Sequence, residues 1–278
     1  MARPLRIEYP GAIYHITARG NAKRSIYYND SDRKEFLRIL EKTIKRYKWL
    51  CHSYNLMTNH YHLLVETPEG NLSGGMRQLN GVYTQRFNKM HSRVGHLFQG
   101  RYKAIVVQKN EHLLELSRYI VLNSVRAGIV KRVEDWKWSA YRAMLGLEEC
   151  PDWLTTDWIL KQFDNNQKKG VEKYYKFVKE GVGKTVWEKL KGQIYYGDDK
   201  FIKKISKKER IKEIPRIQQE PKRKPLRVIL RKNSDNAIVE AYEKYRYCMK
   251  EIAEYLGVHY ATVSRRLRRI EKMYDCKT

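Results

Sequence analysis

The chain has 278 residues, with 57 Lys and Arg against 31 Asp and Glu, and a formal net charge of +26. Net +12 falls on residues 1–150 and +14 on the remainder, so the excess belongs to the whole chain and implies a polyanion partner. Four scattered cysteines without a Cys-x-x-Cys pair, no signal-like stretch behind Met1 and no apolar run of about eighteen residues argue against a disulfide scaffold, a zinc ribbon, export and a membrane span. A cytoplasmic, nucleoid-associated protein is expected.

Residues 11–19 (Gly-Ala-Ile-Tyr-His-Ile-Thr-Ala-Arg) are rich in β-branched and aromatic side chains and predict a first strand. Asn29 or Ser31 can cap a helix running to about Trp49, with Phe36, Leu37, Leu40 and Ile44 on its buried face. Tyr54-Asn-Leu-Met57, a turn at Thr58-Asn59 and the run His60-Tyr-His-Leu-Leu-Val-Glu66 predict a hairpin. Asn71 or Ser73 opens a second helix to about Met90, His96 to Gln108 reads as strand, and a long helix spans about Asn110 to Ala127 before Gly128. This order predicts an α+β fold: a single antiparallel sheet of ferredoxin-like type backed by helices over residues 1–150. Residues 151–201 read as a helical extension bracing that domain, anchored by Trp153, Trp158, Phe163, Tyr174, Tyr175 and Phe177.

Residues 202–235 read as a basic linker; between 202 and 232 there are thirteen basic residues, three acidic ones and Pro215, Pro221 and Pro225. Residues 236–278 read as a small all-α unit. Ala253, Gly257 and Val263 fall at helix-turn-helix spacing, with Ile252, Leu256, Val258, Leu267 and Ile270 as its apolar side. Tyr260, Thr262, Ser264, Arg265, Arg266, Arg268 and Arg269 form the outer, DNA-reading side of the second helix.

Strand alternation puts His60 and His62 on one face, opposite Tyr61, Leu63 and Val65. Paired neutral imidazoles suit a divalent ion. On the long helix Leu113, Leu116 and Ile120 make a buried stripe, while Tyr119, Asn123 and Arg126 make a polar one. Asn123 then offers a third, neutral metal ligand, Tyr119 a nucleophilic hydroxyl, and Arg126 or Arg118 a phosphate contact. A free tyrosine is ionised to only about one part in a thousand at pH 7, a handicap of roughly 4 kcal/mol. No general base can be named from the sequence; His15 and Glu66 are conceivable supporting groups, more simply read as ordinary strand residues.

Four blocks carry a family resemblance: residues 3–21, 54–65 (Tyr-Asn-Leu-Met-Thr-Asn-His-Tyr-His-Leu-Leu-Val), 97–103 (Leu-Phe-Gln-Gly-Arg-Tyr-Lys) and 118–128 (Arg-Tyr-Ile-Val-Leu-Asn-Ser-Val-Arg-Ala-Gly). Together they resemble the REP-associated tyrosine transposases, single-tyrosine HUH proteins related to transposases of small bacterial insertion sequences. The resemblance runs over about residues 1–205, including 192–201. It implies the HUH fold and ATP-independent cutting and rejoining of single-stranded DNA at REP-like hairpins. Tyr119 would form a 5′-phosphotyrosine link, His60, His62 and Asn123 would hold Mg²⁺ or Mn²⁺, and Arg101 and Lys103 would be further DNA contacts. The family admits both monomers and homodimers. The helix-turn-helix occurs in only some relatives, so duplex binding through it rests on this sequence alone.

The main rival reading is a non-catalytic DNA-binding regulator in which the helix-turn-helix does the work. A ferredoxin-like RNA-binding protein using sheet aromatics is a third. A metal-dependent covalent adduct separates the first reading from both.

Overall fold

The computed structural model describes residues 7–109, 111–183, 190–191, 195–198, 201–202, 205, 224–231, 234–245, 247 and 249–275. The chain divides into two compact units, Met1–Glu209 and Arg210–Thr278. Most of the predicted linker lies outside the described residues.

In the first unit β1 (Ala12–Arg19), α1 (Asp30–Tyr47), β2 (Leu50–Leu56), β3 (His60–Thr67), α2 (Leu72–Met90) and β4 (Lys103–Val107) follow one another. The sheet order β2-β3-β1-β4 is antiparallel throughout, which is the ferredoxin-like connection. Helix α1 starts where Asn29 and Asp32 form a reciprocal capping box: the Asp32 amide donates to Asn29 Oδ1 at 3.1 Å and the Asn29 amide to Asp32 Oδ2 at 3.2 Å. It ends just short of Trp49, because Lys48 takes the left-handed conformation at φ 51° and turns the chain into β2. One sheet face carries Tyr14, Ile16, Tyr61, Leu63 and Val65, all buried, and α1 and α2 cover it; the Phe36 and Tyr61 rings meet at 4.8 Å. Helix α3 (Glu111–Arg126) lies on the opposite face, held by hydrogen bonds from β2, and Gly128 at φ 66° ends the turn that follows it.

Three expectations are corrected. Residues 96–102 do not continue the strand: Gly95 and Gly100 at φ 88° and 68° interrupt extended backbone, leaving a single bridge from Phe98 to Gly20 before β4 begins at Lys103. The 151–201 extension is not wholly helical. Past α4 (Tyr141–Met144), which precedes the extension, come the short α5 (Asp157–Lys161) and the longer α6 (Gln167–Lys179), and then β5 (Leu190–Lys191) and β6 (Tyr195–Tyr196) join the sheet. Finally, β6 pairs with β4 in parallel, so the six-stranded sheet is mixed at that edge. The extension does pack on the first domain, with Tyr174 buried between Tyr141 and Phe163.

The second unit contains α7 (Leu226–Ile229), α8 (Asp235–Val239) running into a π-turn at Glu240–Lys244, α9 (Met249–Leu256) and α10 (Tyr260–Asp275). Ile252, Ala253, Val263, Leu267 and Ile270 are buried, and Gly257 at φ 65° makes the turn between α9 and α10. Val258, expected on the apolar side, is instead exposed, because the turn carries it outward.

Candidate active site

Register across the sheet builds the site's floor. Thr17 of β1 lies opposite His62 and Arg19 opposite His60; beyond them Lys103 of β4 pairs with Thr17, and Asn55 of β2 pairs with His62. Directly opposed residues share a face, so one row reads Lys103, Thr17, His62, Asn55. Asn55 fixes α3 over this floor: its Nδ2 donates to the Ile120 carbonyl at 2.8 Å while its Oδ1 accepts from Trp136 Nε1 at 2.9 Å. Tyr119, next to Ile120, is thereby brought half-buried over the histidines.

The Tyr119 ring stands edge-on to two imidazoles, 6.2 Å from His62 at 87° and 6.3 Å from His15 at 83°. His60 and His62 are 5.0 Å apart between ring centroids. Burial lowers the pKa of all three histidines. His15 falls to about 3, His60 to about 4 with help from the Arg19 charge, and His62 well below the ordinary imidazole value with help from His15, His60 and Arg19. All three rings are therefore neutral near pH 7, the state a metal ligand requires.

Asn59 Nδ2 donates to the Lys23 carbonyl at 2.9 Å, which turns its Oδ1 toward His60 Nδ1 at 2.7 Å. An acceptor there puts the His60 proton on Nδ1 and leaves Nε2 with a lone pair. Asn123, 8% exposed, donates from Nδ2 to the Tyr119 carbonyl at 3.0 Å, which leaves its Oδ1 as a neutral oxygen donor. Among the described residues no group of three or more His, Cys, Asp or Glu side chains is arranged to hold a metal ion. Two imidazole nitrogens and an amide oxygen nonetheless fit an ion that completes its shell with water and phosphate oxygens.

The four cations proposed for DNA on this unit divide. The Arg126 guanidinium lies 4.6 Å over the Tyr119 ring, and its Nη1 donates to the Tyr119 carbonyl at 3.1 Å. Lys103 is exposed at the end of the His62 row. Arg101 lines a cleft of about 480 Å³ with Arg77, Asn80, Gln85 and Tyr102. Arg118 is turned away: 6% exposed, it stacks 4.1 Å over Phe177, donates to the Phe177 carbonyl at 3.2 Å and pairs with Glu115. Packing against α6 makes it a structural residue rather than a phosphate contact.

In the second unit Tyr260 is 57% exposed, Arg265 is exposed, and Thr262 and Ser264 are partly so. Arg266 and Arg269 are instead paired with Asp235 of α8, Arg266 at 2.5 Å. Their charge is partly spent inside the unit. The Arg268 side chain lies outside the described residues.

Glu66 does not serve the histidine pair; it bonds Lys109 at 2.7 Å and faces His52 at 3.6 Å further along β3. The residues given too little weight were His15, Asn55 and Arg19. Their signal was alternation on β1, where His15, Thr17 and Arg19 share a face, and an asparagine buried in mid-strand.

Residues 9–123 match the model of the family described as Transposase IS200 like, a span that takes in His15, His60, His62, Tyr119 and Asn123. A protein of Haemophilus influenzae assigned as a REP-associated tyrosine transposase is 24% identical over 155 residues, covering 51% of this chain and 88% of that protein. The solved structure of a REP-associated tyrosine transposase bound to a REP hairpin is 18% identical with a TM-score of 0.46, covering 56% of this chain and 92% of that one. No helix among the described residues is long and apolar enough to cross a membrane.

Proposed function

We propose that this chain, whose residues 9–123 match the IS200-like transposase family, is a metal-dependent single-strand DNA endonuclease and strand transferase acting at hairpin-forming repeats. The observation that carries the reading is the Tyr119 ring standing over the His15 and His62 imidazoles, with His60 beside them. A tyrosine that only packed would have no need of a row of neutral, partly supported imidazoles beneath it.

In this reading the Tyr119 hydroxyl gives up its proton as its oxygen attacks the scissile phosphorus, the P–O3′ bond breaks, and the leaving 3′ oxygen takes up a proton, so that none is gained or lost overall. The DNA 5′ end is then held as a tyrosyl phosphodiester. The bond energy is retained, so an incoming 3′-hydroxyl reverses the exchange and no ATP is required. His60 Nε2, His62 and Asn123 Oδ1 would hold Mg²⁺ or Mn²⁺, which when bound supplies charge stabilisation at the phosphate oxygens. Arg126, Lys103, Arg101 and Arg19 provide the surrounding positive charge. The preference for REP-like hairpins comes from the sequence resemblance, and the name of the Haemophilus influenzae relative agrees with it. The α9–α10 pair would add duplex contacts through Tyr260, Thr262, Ser264 and Arg265.

The test is Tyr119→Phe. It should leave binding of a labelled REP-like hairpin within about twofold, because one hydroxyl is lost from an interface dominated by phosphate contacts. It should also abolish the covalent protein–DNA band formed with Mn²⁺ on a denaturing gel. A surviving band would identify another nucleophile, and hairpin or duplex binding with no band from the wild type would favour the regulator.

A further inference from the structure

We infer that His15 is a positioning residue: its Nε2, 2.9 Å from His62 Nδ1, holds the His62 ring in the tautomer whose Nε2 carries a lone pair. The inference rests on the reading of His60 and His62 as metal ligands and names what makes the second of them competent.

A neutral imidazole has one N–H and one lone pair, and the two tautomers exchange them. If His15 Nε2 donated to His62 Nδ1, the His62 proton would sit on Nε2 and block the only nitrogen left for an ion. If His62 Nδ1–H donates to His15 Nε2, His62 Nε2 is open. His60 is set the same way by Asn59, again through Nδ1. The two ligands are thus supported alike, one by an amide oxygen and one by a second imidazole.

The fold leaves this pair little freedom. Antiparallel pairing puts His15 opposite Leu64 and Thr17 opposite His62, which makes His15 the diagonal neighbour of His62, within reach of long side chains. The ring centroids are 5.1 Å apart and the planes 5° from parallel, which with the two nitrogens at 2.9 Å sets the rings edge to edge nearly in one plane, as an in-plane N–H···N bond requires, and His15 is 2% exposed. Tyr119 rests its edge on both. An ordinary buried histidine needs a hydrogen bond; it has no need to make that bond in the plane of a second imidazole, through the Nδ1 of the histidine beneath the nucleophile.

Ring nitrogens of the full chain, labelled with ¹⁵N-histidine and free of metal, report the tautomer directly by NMR. The expected result is a proton on His62 Nδ1 and none on Nε2; a proton on Nε2 overturns the inference. Mn²⁺ titration followed by electron paramagnetic resonance gives the second readout. His15→Phe keeps a flat ring and removes the acceptor, so Mn²⁺ affinity should fall about 10- to 100-fold, while His15→Gln restores a carbonyl acceptor and should stay within about threefold of the wild type. Equal affinity in all three proteins overturns the inference. Should His15→Phe not fold, the wild-type tautomer and His15→Gln still decide. Failure of the underlying reading looks different: the wild type would carry its proton on His62 Nδ1 and yet bind no Mn²⁺, leaving the His62 and His60 signals unmoved.

Discussion

Arg126 does more than supply a distant positive charge, since its guanidinium covers the Tyr119 ring and bonds the same residue's carbonyl. A cation in that position fixes the ring and favours negative charge developing on its oxygen, a cation–π contact alone contributing about 0.5–2 kcal/mol. Arg126→Gln is therefore expected to slow formation of the covalent adduct about tenfold, equivalent to about 1.4 kcal/mol, with a smaller loss of hairpin affinity. Adduct formation timed at saturating DNA checks this, and an unchanged rate would reduce Arg126 to a surface cation. The buried histidines make a second test, of stability. Their folded pKa values lie below the ordinary one, so the unfolded chain takes up protons first as pH falls. Stability is complete above about pH 6.5 and is lost as pH drops from there, down to about 4 for His60 and about 3 for His15, by up to about 1.4 kcal/mol per pH unit for each of the fully buried rings, His15 and His62. Urea midpoints at pH 7.5 and 5 should show it, and His62→Phe should flatten the dependence; equal midpoints for the wild type would mean those rings are already open to water.

Helix α2 approaches β2 so closely that a side chain at Gly75 has no room: a Cβ there would meet Trp49 Cζ2 at 2.1 Å. Trp49 is pinned, its Nε1 donating to Asn71 Oδ1 at 2.7 Å while Asn71 Nδ2 holds the Tyr47 carbonyl at 3.0 Å. Gly75→Ala should then destabilise the first unit by about 1–3 kcal/mol, although alanine is the better helix former. Thermal melts decide, and a neutral or higher melting temperature would show that Trp49 can move. What was readable in the sequence follows the range of the forces involved. The α1 cap at Asn29, the two-histidine strand and the polar stripe of α3 depend on residues within a few positions, and periodicity reveals them. His15 against His62 and Asn55 against Ile120 depend on pairings 47 and 65 residues apart, which no local pattern encodes. The surroundings of Arg118 are set in the same way, because what covers its side of α3 is Phe177, 59 residues further on. The strands β5 and β6 are two residues each, too short for alternation to register.

The positive charge is shared by both halves of the sequence, and its distribution assigns them different tasks. Each phosphate neutralised contributes about 0.9 to the slope of log affinity against log salt on duplex and about 0.7 on single strands. Helix α10 carries Arg265, Arg266, Arg268 and Arg269, which by simple count would add four such contacts, but Asp235 already pairs with two of them. Removing residues 233–278 is therefore expected to lower the salt slope by only about 1–2 and to weaken binding of long DNA, since the exposed Tyr260, Thr262, Ser264 and Arg265 go with it. Cutting of a short hairpin oligonucleotide should continue at close to the full-length rate, because Tyr119, His60, His62, Asn123 and Arg126 all belong to Met1–Glu209. Filter binding across a salt series and adduct formation on the short substrate measure the two quantities separately. Loss of cutting would mean that the C-terminal helices are part of the catalytic machinery. An unchanged slope on long DNA would mean that the arginines of α10, the Asp235-paired Arg266 and Arg269 among them, make no net contribution at phosphate.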